Sequence, residues 1–341
     1  MLKITVLSLG VIAPLLSTSS LAKMVESQSL EVQGKIIGKN DKKSEDVSGI
    51  ACVSTMTLPR SCLVIDDNLQ AAQSVTFDGD KLEAGDLIPL IDNRFGGKPL
   101  ELDGEGVAFS ADAFYVIGSH GHPRDKDHEL DATADADHDL ISARIKAASQ
   151  IVKLVVNSDG SLAVQGNPMS LSEAIEHQPD LAASSGKRLN ENGLTIEGIA
   201  IRGDRLFAAF RGPTLPGGRA PVLSVSLKGL AAGSELDAKL FKLPLGEGMG
   251  IRDLASEGDH FLVLAGPSAD VSGRYSIYSW DGIAEANIAP VLALTDIPGA
   301  GDSRKAETLI SVSAGATGRT LLILFDGEKE GSPLLVRVSA D

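Results

Sequence analysis

The chain has 341 residues, 43% of them hydrophobic, with 31 basic side chains against 46 acidic ones and a formal charge of −15. A chain of that length has ample core for one large repeat domain or two ordinary ones. An acidic surface of this size argues against nucleic acid or an anionic membrane as partner.

At the N-terminus, Lys3 precedes an apolar run from Ile4 to Leu16, then small residues and a Ser20-Leu21-Ala22 cleavage site. This is the pattern of a secretory signal peptide over residues 1–22. Pro14 and the Ser17-Thr18-Ser19-Ser20 run leave the segment short for a membrane anchor, and no cysteine near the cleavage site offers a lipid attachment. Cleavage removes Lys3 and takes the formal charge from −15 to −16. Residues 23–341 are then expected to form a single periplasmic or secreted domain, monomeric and free of the membrane.

Leu30 to Ile36 alternates apolar and polar residues as a strand does, and a polar loop from Gly38 to Asp46 follows. Short strands at even spacing come next: Gly49 to Val53, Cys62 to Ile65, Ser74 to Phe77 and Leu87 to Ile91. Cys52 and Cys62 flank a turn near Thr57, in a register that sets them opposite each other. In an oxidising compartment that predicts a structural cross-strand disulfide.

A new set of strands opens at Glu105-Gly106-Val107-Ala108, and the same head recurs at Glu197-Gly198-Ile199-Ala200. Weaker copies stand at Ser48-Gly49-Ile50-Ala51, Arg252-Asp253-Leu254-Ala255 and Glu307-Thr308-Leu309-Ile310. The aligned positions Gly49, Gly106, Gly198, Asp253 and Thr308 are separated by 57, 92, 55 and 55 residues. Four strands per unit at that period predict an all-β fold, a five-bladed β-propeller, with six blades as the alternative. The long unit carries two insertions, at about 120–147 and 167–192. The first reads as a mobile polar loop. The second is expected to hold one short helix, with Ser170 and Glu173 as a capping box and Pro179 as its stop. The last unit is one strand short, and Leu30 to Ile36 is expected to supply the fourth and close the ring.

In a propeller the first strand of each blade lines the central channel. The residue before each head glycine therefore stands at the channel mouth, where the blades offer Ser48, Glu105, Glu197, Arg252 and Glu307. Second strands end on the same face at Asp66-Asp67-Asn68, Ser119-His120, Arg211, Gly266-Pro267 and Asp326. Three glutamates around a narrow channel repel one another, so they need a cation or hold protons more tightly. Calcium or another divalent cation fits such an oxygen-rich site. The loop from Ser119 to Asp139 holds four of the six histidines but no complete zinc-enzyme spacing. Gly246-x-Gly248-x-Gly250 precedes a strand and no helix, which excludes a dinucleotide site there, and no organic cofactor is expected.

Gly250-Ile251-Arg252-Asp253-Leu254-Ala255, Leu264-Ala265-Gly266-Pro267 and Tyr278-Ser279-Trp280-Asp281-Gly282 resemble a bacterial domain-of-unknown-function family, DUF3616. Gly118-Ser119-His120 and the two Glu-Gly heads fit it as well, so the resemblance spans roughly Val47 to Gly331. It implies a secreted propeller and no particular reaction. The Glu-Gly heads are also weakly similar to esterase-like phytase propellers and to calcium-binding lactonase-like propellers. Arg252 and Thr308 depart from that pattern.

The expectation is thus an exported propeller that takes a small anionic or phosphorylated ligand at the channel mouth and hydrolyses its ester or phosphoester bond with a divalent cation. Glu105, Glu197 and Glu307 would hold the cation or act as base, and His120 would shuttle a proton. Arg211, Arg252, Asp66, Asn68 and Asp326 would contact the ligand. The alternative is a non-catalytic propeller whose loops bind another envelope protein or a polymer.

Overall fold

A strand packed on both faces must be apolar at successive positions, and Leu321 to Phe325 shows where each face goes. Leu321, Ile323 and Phe325 pack with Leu262, Leu264 and Ile277 of the preceding sheet. Leu322 and Leu324 pack the other way, onto Val64, Val75 and Phe77. The computed structural model describes residues 24–340 apart from 56, 125–129, 132 and 301–303. The expected signal peptide and the Asp125-to-His128 stretch of the histidine loop lie outside these residues.

Five sheets form the blades, antiparallel except for one parallel edge pair in the first. Their inner strands are Val47–Cys52, Gly104–Ser110, Thr195–Arg202, Met249–Glu257 and Lys305–Gly315. Each inner strand touches the next and the fifth touches the first, which closes the ring. Five separate apolar clusters fill the five gaps between blades. The fold is a five-bladed propeller, and among the described residues the long unit holds helices where a sixth blade would sit.

The head glycines are required by close approach at the axis. A Cβ on Gly106 would stand 2.9 Å from the Ile199 nitrogen, and one on Gly198 would stand 2.7 Å from that of Leu254. Side chains at these points would push the inner strands apart.

Closure differs in detail from the expectation. The strand that completes the fifth blade is Val25–Ser29, which pairs with Leu334–Ser339. Glu31–Gln33 crosses to the first blade and pairs in parallel with Lys81–Pro89. The N-terminal segment therefore joins two blades, and neither sheet is left with that edge free. Cys52 and Cys62 are direct cross-strand partners and form the disulfide.

The first insertion is not only a polar loop, because Asp135–Ala148 forms a 14-residue helix, α1. Ile141, Ala147 and Ala148 are its buried positions. The second insertion holds two short helices, α2 (Ser172–Glu176) and α3 (Pro179–Ala182). The capping box does not form: Ser170 Oγ accepts from the Ser172 amide, and Pro179 opens α3 at its first turn. A fourth helix, α4 (Leu227–Ala232), caps the third strand of the third blade.

Candidate functional site

The five head residues share a backbone device. Ser48, Glu105, Glu197, Arg252 and Glu307 each fall where the inner strand shifts register against its neighbour. Each is the extra residue of a β-bulge, which bends the strand and re-aims one side chain. All five are at most 5% exposed. They lie beneath the mouth of the propeller, deeper than the sequence alone suggested.

The bulges bring the three glutamates together, with one carboxylate oxygen from each of Glu105, Glu197 and Glu307 within 4.8 Å of the others. Arg211 and Arg252 adjoin them. Arg252 Nη2 lies 3.4 Å from Glu197 Oε2 and hydrogen-bonds Glu307 Oε2. Arg211 Nη1 lies 3.4 Å from Glu197 Oε1, while its Nε and Nη2 donate to the Ser268 and Ala269 carbonyls, each at 3.1 Å. Burial disfavours a charge on Glu197, but Arg252 and Arg211 outweigh it and hold that carboxyl below its usual range. Burial pushes Glu307 up to about 8 despite the pull of Arg252. When both carboxyls are ionised, they and the two guanidiniums form a charge-balanced half of the cluster.

The other half is not balanced. Asp67 and Asp103 come within 4.8 Å of Glu105, again counting one oxygen from each. Burial first, then Glu197, Asp103 and Asp67, raises the Glu105 carboxyl well above its ordinary range. Burial and the Asp103 charge push Asp67 up to about 8. Arg124 is the cation that senses all of them. Burial works against its charge, yet Glu105, Asp67, Glu197 and Asp103 together raise its proton affinity.

Local structure explains how Asp67 and Asp103 arrive there. Asp67 follows the last residue of the strand Arg60–Asp66, and the Asn68 side chain donates through Nδ2 to its Oδ1. Asp103 sits at φ 53°, a left-handed conformation that aspartate tolerates better than most residues. The Ser119 hydroxyl donates to its Oδ2, and the Ser119 amide donates to its carbonyl at 2.9 Å. Above them opens a cavity of about 790 Å³. Asp67 and Asp103 line it, with Asn68, Arg124 and Arg144, and the hairpin of Arg94–Phe95 and Lys98–Pro99 forms one side.

The remaining expected site residues lie elsewhere. His120 is buried, with Nδ1 against the Gly118 carbonyl at 3.0 Å and Nε2 accepting from the Leu171 amide at 3.1 Å. That pairing fixes a neutral ring whose pKa burial lowers to about 4, and it ties the two insertions together. Arg188 adds a second tie through the Leu130 carbonyl. Asp66 accepts from Ser44 Oγ at 2.6 Å and from the Asn68 amide at 3.0 Å, so it anchors the N-terminal loop. Asp326 stands at the edge of the fifth blade, 3.8 Å from Lys305 Nζ.

The sequence set Asp67 on the mouth face without a role for it, and gave Asp103 and Arg124 no place in the site. The first two had a signal, since each sits next to or near a residue that was singled out. Arg124 had none, because nothing in the spacing of its loop predicts a turn back toward the axis.

A family model described as "Protein of unknown function (DUF3616)" matches residues 154–332. No curated protein matches the sequence. Among solved structures, a family 117 glycoside hydrolase from the marine bacterium Zobellia galactanivorans is 10% identical, with 93% of this chain and 90% of that one covered and a TM-score of 0.47. An exo-β-1,3-galactanase from Phanerochaete chrysosporium is 8% identical over 94% of this chain and 64% of that one, with a TM-score of 0.46. A mutant of Trypanosoma rangeli sialidase is 8% identical over 92% and 58%, with a TM-score of 0.41. The chain spans less than two thirds of the length of the last two. Likenesses of this degree carry no argument about activity.

Proposed function

The chain belongs to the family described as protein of unknown function (DUF3616), and on that premise we propose that it binds a small anionic or phosphorylated ligand in the mouth cavity and hydrolyses its ester or phosphoester bond with a divalent cation. The observation that carries this reading is the cavity itself. Its lining carries Lys98, Arg124 and Arg144 together with Asp46, Asp67, Glu101 and Asp103. An anion is drawn to the guanidiniums and repelled by the carboxylates, so it is held best when a cation lies between it and the carboxylates.

The protein's own residues supply position and charge. Arg124 and Arg144 receive the anionic group, with the planar donors suited to phosphate or carboxylate. Glu197 and Glu307, fixed by Arg211 and Arg252, form a rigid, charge-balanced backing to Glu105. A divalent cation, when bound, supplies polarisation of the ester oxygen and a more acidic water. His120 is left out of this scheme because both ring nitrogens are engaged. The Cys52–Cys62 disulfide supports an oxidising compartment, in keeping with the leader read from the sequence.

The test is a screen of p-nitrophenyl phosphate, aryl esters and lactones with calcium present, using the wild type, Arg124→Ala and Glu105→Gln. The reading expects turnover that falls about 100-fold or more in both variants. Binding of phosphate without turnover of any of these would favour the non-catalytic propeller. Failure to bind any small anion would sink both the ligand and the reaction.

A further inference from the structure

Building on the mouth as an anion site, we infer that a divalent cation is seated by Asp67, Asp103 and Glu105, and not by the ring of Glu105, Glu197 and Glu307. Both trios have the spacing for it, one oxygen from each residue within 4.8 Å of the others. Oxygens bound to one calcium at ~2.3–2.6 Å can lie no more than ~5 Å apart, so geometry alone does not choose between them.

Partners choose. In the ring, Glu197 and Glu307 are already paired with Arg252, and Glu197 also with Arg211. A cation there would stand beside two guanidiniums. Glu105 is different. It is 4% exposed, it lies within reach of Asp67 and Asp103 as well as of the ring, and among the described residues no hydrogen bond or ion pair reaches it. A buried carboxylate with no partner is costly by several kcal/mol, a penalty that a bound cation removes.

Charge gives the same answer. With every carboxyl ionised, Glu105, Glu197 and Glu307 against Arg211 and Arg252 leave one negative charge. Asp67, Asp103 and Glu105 against Arg124 leave two negative charges, which one divalent ion cancels. The donors are all oxygen, with no sulfur or imidazole among them, which selects a hard cation such as calcium over zinc. Hydrogen bonds from Ser119 to Asp103 and from Asn68 to Asp67 fix the orientation of two of the three ligands. Those same two line the cavity, so the open coordination side faces the proposed ligand.

Calorimetric titration of calcium chloride into the chelator-stripped protein tests this directly. The wild type should bind one equivalent. Asp103→Asn and Glu105→Gln should weaken binding about ten-fold or more, and Glu307→Gln should change it by less than about three-fold. Asparagine tolerates the left-handed backbone at position 103, and an unchanged cooperative melt without calcium shows that each variant folds. The inference fails if the wild type binds no calcium, or if Glu307→Gln abolishes binding while Asp103→Asn does not. Titrating inorganic phosphate into the same samples separates this seat from the function it rests on. Calcium binding without phosphate binding supports the seat and removes the ligand reading. Phosphate binding without calcium binding overturns the seat and leaves only the anion-binding part of the proposed function.

Discussion

Replacing Arg252 by methionine keeps most of the side-chain volume and removes the guanidinium that lies between two buried carboxylates. Glu197 and Glu307 are 3% and 4% exposed, so neither recovers hydration when the partner goes. Breaking a buried pair in this way costs about 3–5 kcal/mol, because it leaves an uncompensated charge in a low-dielectric site. The sign with pH follows from Glu197. Its folded-state pKa lies below the ordinary carboxylate range in the wild type, so it contributes stability above pH ~4 that is lost as pH falls. Without Arg252 the nearby Glu307 and the burial dominate, the folded-state pKa rises, and stability now falls as pH rises. The difference between wild type and variant should therefore widen from pH 5 to pH 8, read by urea unfolding at each pH. Adding Glu307→Gln to Arg252→Met should recover part of the loss. A cost under about 1 kcal/mol at pH 8, or a difference that narrows with pH, would refute the charge-balanced half of the cluster.

Asp253 gives a second pH test. Burial raises its pKa to about 8 although it accepts the Leu254 and Leu309 amides at 2.7 and 2.6 Å. The folded state then binds the proton more tightly than the unfolded chain, so this group's contribution is full at low pH and declines between pH ~4 and ~8. Asp253→Asn should flatten that part of the melting-temperature profile, at an offset of about 1–3 kcal/mol from an amide facing an amide; parallel profiles would contradict it. Trp280 is fully buried against Phe261 of its own blade and against Phe207 and Phe241 across the blade interface. Trp280→Ala should cost about 3–5 kcal/mol by chemical denaturation, and a loss under about 1 would mean that this interface repacks freely. Deleting residues up to Leu30 frees the edge of Leu334–Ser339. The truncated chain should melt lower and associate in sedimentation, whereas a monomer with unchanged melting would show that closure does not depend on Val25–Ser29.

The repeat could be read from sequence because in three blades the bulge places a polar residue just ahead of a glycine with no room for a side chain. Glu105-Gly106 and Glu197-Gly198 carry both marks. Arg252-Asp253 and Glu307-Thr308 keep the bulge and lose the glycine, and the apolar strands around them still hold the period. What stayed hidden has specific causes. Asp66 and Asp67 are neighbours, yet one ends a strand turned toward Ser44 and the next turns to the axis. Strand ends are where alternation stops being a guide. In α1 the alternating acids at 135, 137 and 139 resembled a loop, and its buried face appears only later, from Ile141 to Ala148. Val25–Ser29 is a half-exposed edge strand with a single large apolar residue, so hydrophobic pattern could not mark it. Its neighbour Leu30 is buried, which drew the expected strand a few residues along the chain.

Cation and anion are expected to meet at the mouth cavity. A crystal structure grown with calcium chloride and inorganic phosphate tests it most directly. The account predicts an anomalous calcium peak among Asp67, Asp103 and Glu105, with phosphate between that peak and Arg124. A calcium peak between Glu197 and Glu307, or none at either trio with phosphate absent from the cavity, would contradict it.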